Sequence, residues 1–386
     1  MNTSSNYVVR VPRLFAGCAI LILCVSASVM PPSVMAQRRS GCTPSALGIQ
    51  FADVTGEHKA AAIAINSNGV TVRPSDGRRF RRDESWVQQP YFGTDTSGHQ
   101  NIYFADVNGD GKADAIVSNT TEVAVRLSDG TQFVQHDLWT HEGYFGVAVN
   151  HVNNFFADVT GDGKADAIVV NPSGITVRRS DGSRFLRGEQ WTRDAYMGGL
   201  GNYFADVTGD GRADAIVVNT NGIAVRRSDG EHFERAELWT MDPYFGSVGN
   251  SVYFADVNGD GKADAIVVNA NEVAVRLSDG RRFLPARVWL RQPYYGSIAT
   301  AFADVDGDGK ADAVVVNPSG ITVRLSDGER FLSPEDWTRG AFYGDLGSGC
   351  REDQRQYRDR DRGRDRYRDR DRDRDRDRDR DRDRDR

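Results

Sequence analysis

The sequence predicts an all-β fold, a six-bladed β-propeller of four-stranded blades. Three features that recur six times in one fixed order predict it: an acidic loop, an SDG turn and a tryptophan. The loops open at Asp53, Asp106, Asp158, Asp206, Asp256 and Asp304, and the Asp of an SDG turn follows each 23 residues later. A Trp stands 10 residues past the turn and the Gly of an aromatic-Gly triplet 7 past the Trp, so the frame runs 40 residues without an insertion. Only the connector to the next loop varies, at 13, 12, 8, 10 and 8 residues. A repeat of about 50 residues that forms one supersecondary unit cannot bury its apolar face alone, and stacks into a solenoid or a propeller.

The chain opens on a targeting segment, residues 1–36. Arg10 and Arg13 precede an apolar stretch from Leu14 to Val25 that is too short to span a bilayer. Val34-Met35-Ala36 offers the small-residue spacing of a cleavage site, and Val25-Ser26-Ala27 a rival one. Export places the two remaining cysteines, Cys42 and Cys350, in an oxidising compartment. They flank the first and last repeats of a propeller domain expected over residues 42–350.

Within the third repeat, NFFADV enters the acidic loop and AIVVN leaves it as a buried, β-branched strand. GITVRRSDGSRF is a hairpin whose Asp181-Gly182 supplies the tight turn, and the segment through Trp191 to Gly198 closes the unit. Four short strands repeated radially make a propeller. Six copies argue for six blades, with no spare residues for a seventh; a seven-bladed ring with a divergent blade is the alternative. The connector is missing at one seam only, between Gly344 and the first repeat. A Cys42–Cys350 disulfide is expected to staple the ring there, stabilising it by about 4 to 5 kcal/mol in the chain-entropy account; two free thiols are the alternative.

From Arg351 to Arg386 the chain is an Arg-Asp run of 17 arginines and 14 acids, expected to be disordered for want of apolar residues. A passive solvated tail is the first reading and ionic docking on an anionic surface polymer the second. Between Cys42 and Cys350 there are 28 basic and 41 acidic residues, a balance of −13 that argues against nucleic acid and for cations.

The loops carry oxygen donors at alternate positions, the pattern calcium takes. In the second repeat Asp106, Asn108 and Asp110 converge, Gly109 and Gly111 permit the curl, the Lys112 carbonyl is a fourth donor and Asp114 closes the cage. The same roles fall to Asp158, Thr160, Asp162, Lys164 and Asp166; to Asp206, Thr208, Asp210, Arg212 and Asp214; and to Asp256, Asn258, Asp260, Lys262 and Asp264. The last set is Asp304, Asp306, Asp308, Lys310 and Asp312, whose four carboxylates are expected to bind tightest. The first loop has Glu57, His58 for Gly and Ala61 for the closing Asp. It is expected to lack both curl and cage, which leaves about five calcium sites. An Asx turn with no metal is the alternative for any single copy. Zinc fits poorly, since the ligand positions hold neither Cys nor His.

The run from the aromatic-Gly through FADVNGDGKADAIVV resembles the FG-GAP repeats of the integrin α-subunit propeller and the VCBS-type repeats of bacterial surface proteins. It is also similar to the calcium-binding propeller lectin of mushrooms, over Phe51 to Gly344. The resemblance implies a propeller fold and calcium. It departs where the GAP tripeptide becomes Val169-Val170-Asn171 and where six units stand for the usual seven.

Trp86, Trp139, Trp191, Trp239, Trp289 and Trp337 share one frame position, as do Tyr91, Tyr144, Tyr196, Tyr244, Tyr294 and Phe342. The indoles either stack on sugar rings, which would suit a multivalent lectin, or wedge between blades. The two longest connectors carry His99, Asn101, His151, Asn153 and Asn154, which could hydrogen-bond a glycan. No GxSxG or HExxH motif occurs; a rim of Asp95, His99, His136, His141 and His151 is the only acid–base assembly to offer for a polysaccharide lyase or hydrolase. The expected protein is a monomeric calcium-binding propeller, secreted, periplasmic or on the cell surface. It would act as a non-catalytic recognition or adhesion module, with a glycan or surface protein as partner, and with no nucleic acid and no transmembrane segment. A purely structural extracellular module is the alternative.

Overall fold

In the computed structural model, residues 48–94, 100–143, 147–148, 151–152, 154–248 and 251–345 are described. The expected signal segment, the expected Cys42–Cys350 disulfide and the Arg-Asp tail lie outside them. The described residues form six blades and no helix, hence no helix long and apolar enough to cross a membrane. The predicted six-bladed all-β propeller is borne out.

Each blade is an antiparallel meander in chain order. In the fourth blade the strands are Gly201–Ala205, Asp214–Asn219, Gly222–Arg226 and Glu237–Leu238. The second strand of every blade is apolar, Ala-rich in the first and β-branched in the others, and almost wholly buried, because sheets flank it on both faces. The tight turn into the third strand needs glycine: Gly222 has φ +143°, and a Cβ there would stand 2.3 Å from the Thr240 carbonyl oxygen. The first strands of neighbouring blades touch all round, the sixth against the first, so they line the axis and the fourth strands face outward.

The core lies between blades. One apolar cluster joins Val218, Ile223 and Trp239 of the fourth blade to Phe254, Val267 and Phe283 of the fifth. Another joins Val314, Val316 and Trp337 of the sixth to Ile49, Ala62 and Phe80 of the first. Backbone bonds close the same circle. The carbonyl of each loop's first aspartate accepts the N–H of an alanine in the next blade, from Ala113 on Asp53 at 2.7 Å to Ala60 on Asp304 at 2.7 Å. At the seam Gly344 N–H donates to Gly48 O at 3.2 Å, and Asp345 accepts from Ser67 N–H at 2.6 Å and Ser67 Oγ at 2.7 Å.

The longest connectors add strands of their own. Gly93–Thr94 pairs with Gln100–Ala105 as a fifth strand of the second blade, and Val147–Ala148 pairs with His151–Val152. Chain direction places the acidic loops and SDG turns on one face of the disc and the connectors on the other.

Candidate functional site

The acidic loop is curled by its own first aspartate. Asp106 Oδ1 accepts N–H bonds from Asn108 at 3.1 Å and Gly109 at 2.6 Å, and Oδ2 accepts from Gly111 at 2.7 Å. Gly109 and Gly111 sit at φ +80° and +85°, where other residues strain. The closing Asp114 is fully buried and clips the loop to the SDG turn: Oδ2 accepts from Val107 N–H at 3.1 Å and Oδ1 from Ser128 N–H at 2.8 Å. Asp166, Asp214, Asp264 and Asp312 make the same two bonds. The SDG serine fastens the previous blade as well, as when Ser180 Oγ donates to Val107 O at 2.5 Å.

This donor set fits a hard divalent cation. Carboxylate oxygens of Asp304, Asp306 and Asp312 all lie within 4.8 Å of one another. Burial first, then the neighbouring carboxylates, push Asp304 up to about 6 and Asp312 up to about 8. Burial likewise raises Asp114 and Asp264 to about 8 and Asp166 and Asp214 to about 7. Crowded buried carboxyls either hold protons or share a cation, and all-oxygen donors suit calcium. The fifth-position acid stands apart from the trio. Asp308 meets Lys310 Nζ at 2.5 Å, as Asp110 meets Lys112 at 2.8 Å and Asp162 meets Lys164 at 2.7 Å.

The first loop differs from expectation in one respect. Its curl is present: Asp53 accepts from Gly56 N–H at 2.8 Å and from His58 N–H at 2.7 Å, with His58 forced to φ +57°. The hydrogen bonds of Asp53 outweigh the strain on His58. The cage is incomplete, since Ala61 replaces the closing carboxylate and Glu57 pairs with Lys59 at 3.2 Å.

The six tryptophans are not stacking platforms. They are 3–5% exposed, and each meets a phenylalanine of the next blade at 5.0–5.3 Å, from Trp86 on Phe133 to Trp337 on Phe80. A frame position repeated in every blade is used for what every blade shares, its neighbour. Tyr144 lies outside the described residues, and the other triplet tyrosines are wedged too: Tyr244 OH shares its proton between Ala265 O at 3.1 Å and Ala274 O at 3.0 Å.

Of the connector residues, His99 and Asn153 lie outside the described residues, and the side chain of His151 is not described. Asn101 is buried at 6% exposure with its Nδ2 unbonded, and Asn154 is buried at 2%. Of the acid–base rim, Asp95 is outside the described residues. His136 is exposed and meets the Tyr91 ring at 6.0 Å, while His141 is exposed. No acid–base pair among them is assembled in the described residues.

The family model described as "FG-GAP-like repeat" matches residues 158–217, 206–267 and 256–315. Residues 158–315 thus match FG-GAP-like repeats. Among solved structures it is similar to a lectin of Agrocybe aegerita that specifically recognises non-reducing terminal N-acetylglucosamine. That lectin is 25% identical, with 79% of this chain and 83% of the lectin covered and a TM-score of 0.56. The expected likeness to a mushroom propeller lectin is thereby borne out. A Photorhabdus luminescens Tc holotoxin pore shares the fold at 17% identity and a TM-score of 0.52, covering 78% of this chain and 15% of that one. No curated protein matches in sequence.

The six repeats hold one further residue that sequence reasoning passed over. Arg73, Arg126, Arg178, Arg226, Arg276 and Arg324 stand 20 residues after each loop aspartate. Arg276 lies 4.6 Å over the Tyr244 ring and pairs with Asp242 at 2.5 Å, both in the preceding blade. Arg226 does the same with Tyr196 at 4.7 Å and Asp194 at 2.5 Å. The signal was available, in an Arg repeated in all six units and an acid three residues past the Trp in three of them.

Proposed function

We propose that this chain is an exported, calcium-loaded propeller that serves as a non-catalytic recognition module with carbohydrate as its ligand class. The observation that carries the reading is the likeness to a sugar-recognising lectin along four-fifths of both chains, with oxygen-only loops repeated in each blade but the first. Asp106, Asn108, Asp110 and Asp114, with their counterparts through Asp312, would hold the cations. Bound calcium would neutralise the crowded carboxylates and fix the loop face. Sugar recognition then falls to the opposite face, where connectors differ from blade to blade, and not to the buried tryptophans. A purely structural module is the second reading, favoured by the use in packing of the repeated aromatics among the described residues.

The test is a glycan and polysaccharide array probed with the mature protein, with calcium and again with chelator. Selective binding that chelation abolishes is expected. A folded, calcium-loaded protein that binds no glycan would sink the lectin reading and leave the structural one.

A further inference from the structure

Six equivalent arginines in one ring differ in their acid partners, and the differences are informative. Where the third, fourth and fifth blades present Arg178, Arg226 and Arg276, the preceding blade supplies Glu142, Asp194 and Asp242 at 2.8, 2.5 and 2.5 Å. Arg73 is met by Asp83 of its own blade. Ahead of Arg324 the frame position holds Gln292, and ahead of Arg126 it holds Gln89. Among the described residues no carboxylate pairs with either arginine.

Arg324 is the sharper case. It is 6% exposed, lies 4.9 Å over the Tyr294 ring, and donates through NH1 to Leu332 O at 2.5 Å; its Nε is buried without a bond, as are those of Arg226 and Arg276, whose acids meet NH2 instead. Burial draws its pKa down from the usual arginine range. A ring face offsets only part of the cost of sinking a guanidinium without a counter-charge, and the planar fork is shaped for a carboxylate. At the sister interfaces the arginines keep 12–13% of their side-chain surface while Asp194 and Asp242 keep 64% and 58%. The acid's place therefore opens to solvent, and Gln292 is exposed.

We propose that Arg324, floored by Tyr294, forms an anion site between the fifth and sixth blades that takes a carboxylate group from a solvent-borne ligand, in the place where Asp194 and Asp242 stand at the sister interfaces. Arg126 over Tyr91, at 4.9 Å, is a shallower second copy between the first and second blades. Neither site involves the acidic loops.

The experiment titrates the full mature chain with acetate against chloride at equal ionic strength. It follows the Arg324 Nε–H resonance, assigned by its loss in Arg324→Lys, together with the melting temperature. The wild type is expected to show a saturable shift of that resonance and a rise in melting temperature with acetate alone. Gln292→Asp supplies the carboxylate internally. It should melt higher without acetate and lose the saturable response at Arg324, while the Arg126 response persists. Equal effects of acetate and chloride, or an Arg324 response unchanged in Gln292→Asp, would overturn the proposal. Because Gln292→Asp adds a contact that three sister interfaces already make, the test does not hang on a variant that fails to fold.

Discussion

Trp337 of the last blade meets Phe80 of the first edge-on, with ring centroids 5.2 Å apart and planes at 63°. The pair repeats, across the chain's two ends, what Trp191 and Phe233 do between the third and fourth blades at 5.1 Å and 60°. The seam is thus an interface of the same kind as the internal ones. Trp337→Ala should cost about 3–5 kcal/mol, as large-to-small core changes do, and Trp191→Ala about as much. Denaturant unfolding of both variants would show it. A seam variant far milder than the internal one would mean that the ring is held elsewhere.

His58 occupies a backbone conformation that glycine takes in each of the other five loops. His58→Gly should therefore stabilise the protein by about 1 kcal/mol, the strain relieved less the added chain entropy. The side chain is exposed, so no packing is lost. A thermal melt checks this, and a destabilised variant would show that the imidazole has a use.

Under the calcium reading, two aspartates of the last loop should part company. Asp306 belongs to the carboxylate trio, whereas Asp312 also holds Val305 and Ser326 N–H. Asp306→Ala should weaken calcium binding at that site by about tenfold or more. The same change should leave the metal-free stability within about 0.5 kcal/mol. Asp312→Ala should lower both, the stability by about 2–4 kcal/mol for the backbone groups left unpaired. Calorimetric titration with calcium and melts in chelator separate the two.

The closing aspartates set a pH dependence. A carboxyl whose folded pKa lies above its unfolded one takes up a proton on folding, so its contribution is lost as pH rises through the interval. Metal-free protein should lose stability from the ordinary carboxylate range up to about 7 for Asp166 and Asp214 and about 8 for Asp114, Asp264 and Asp312. Calcium binds the charged form, so its affinity should climb over the same window. Melting temperatures with and without calcium between pH 5 and pH 9 would test both slopes; parallel curves would argue against loading at these loops.

Periodicity made the blades legible before any coordinates, because one unit must pack on its copy and the spacing of SDG, Trp and aromatic-Gly is the spacing of that packing. It could not decide whether Trp86 and its equivalents face a ligand or a neighbour, since an indole suits either. It also misjudged His58: the missing glycine suggested a missing curl, but four hydrogen bonds from Thr55, Gly56 and His58 to Asp53 hold the backbone there regardless. The arginine latch stayed unseen because its partners, Glu142, Asp194 and Asp242, come from the preceding repeat and are spaced 32 to 36 residues away.

The bond from Ala60 N–H to Asp304 O is one of six that hand each blade to the next without a break. An open row of repeats frays from its ends, where the last unit has one neighbour. Here no unit is terminal, and peeling any blade away exposes two apolar faces at once. Melting should then be a single concerted event, with little partial opening to feed a protease. Were the chain exported as proposed, to work where nothing refolds it, that would be a route to a long service life.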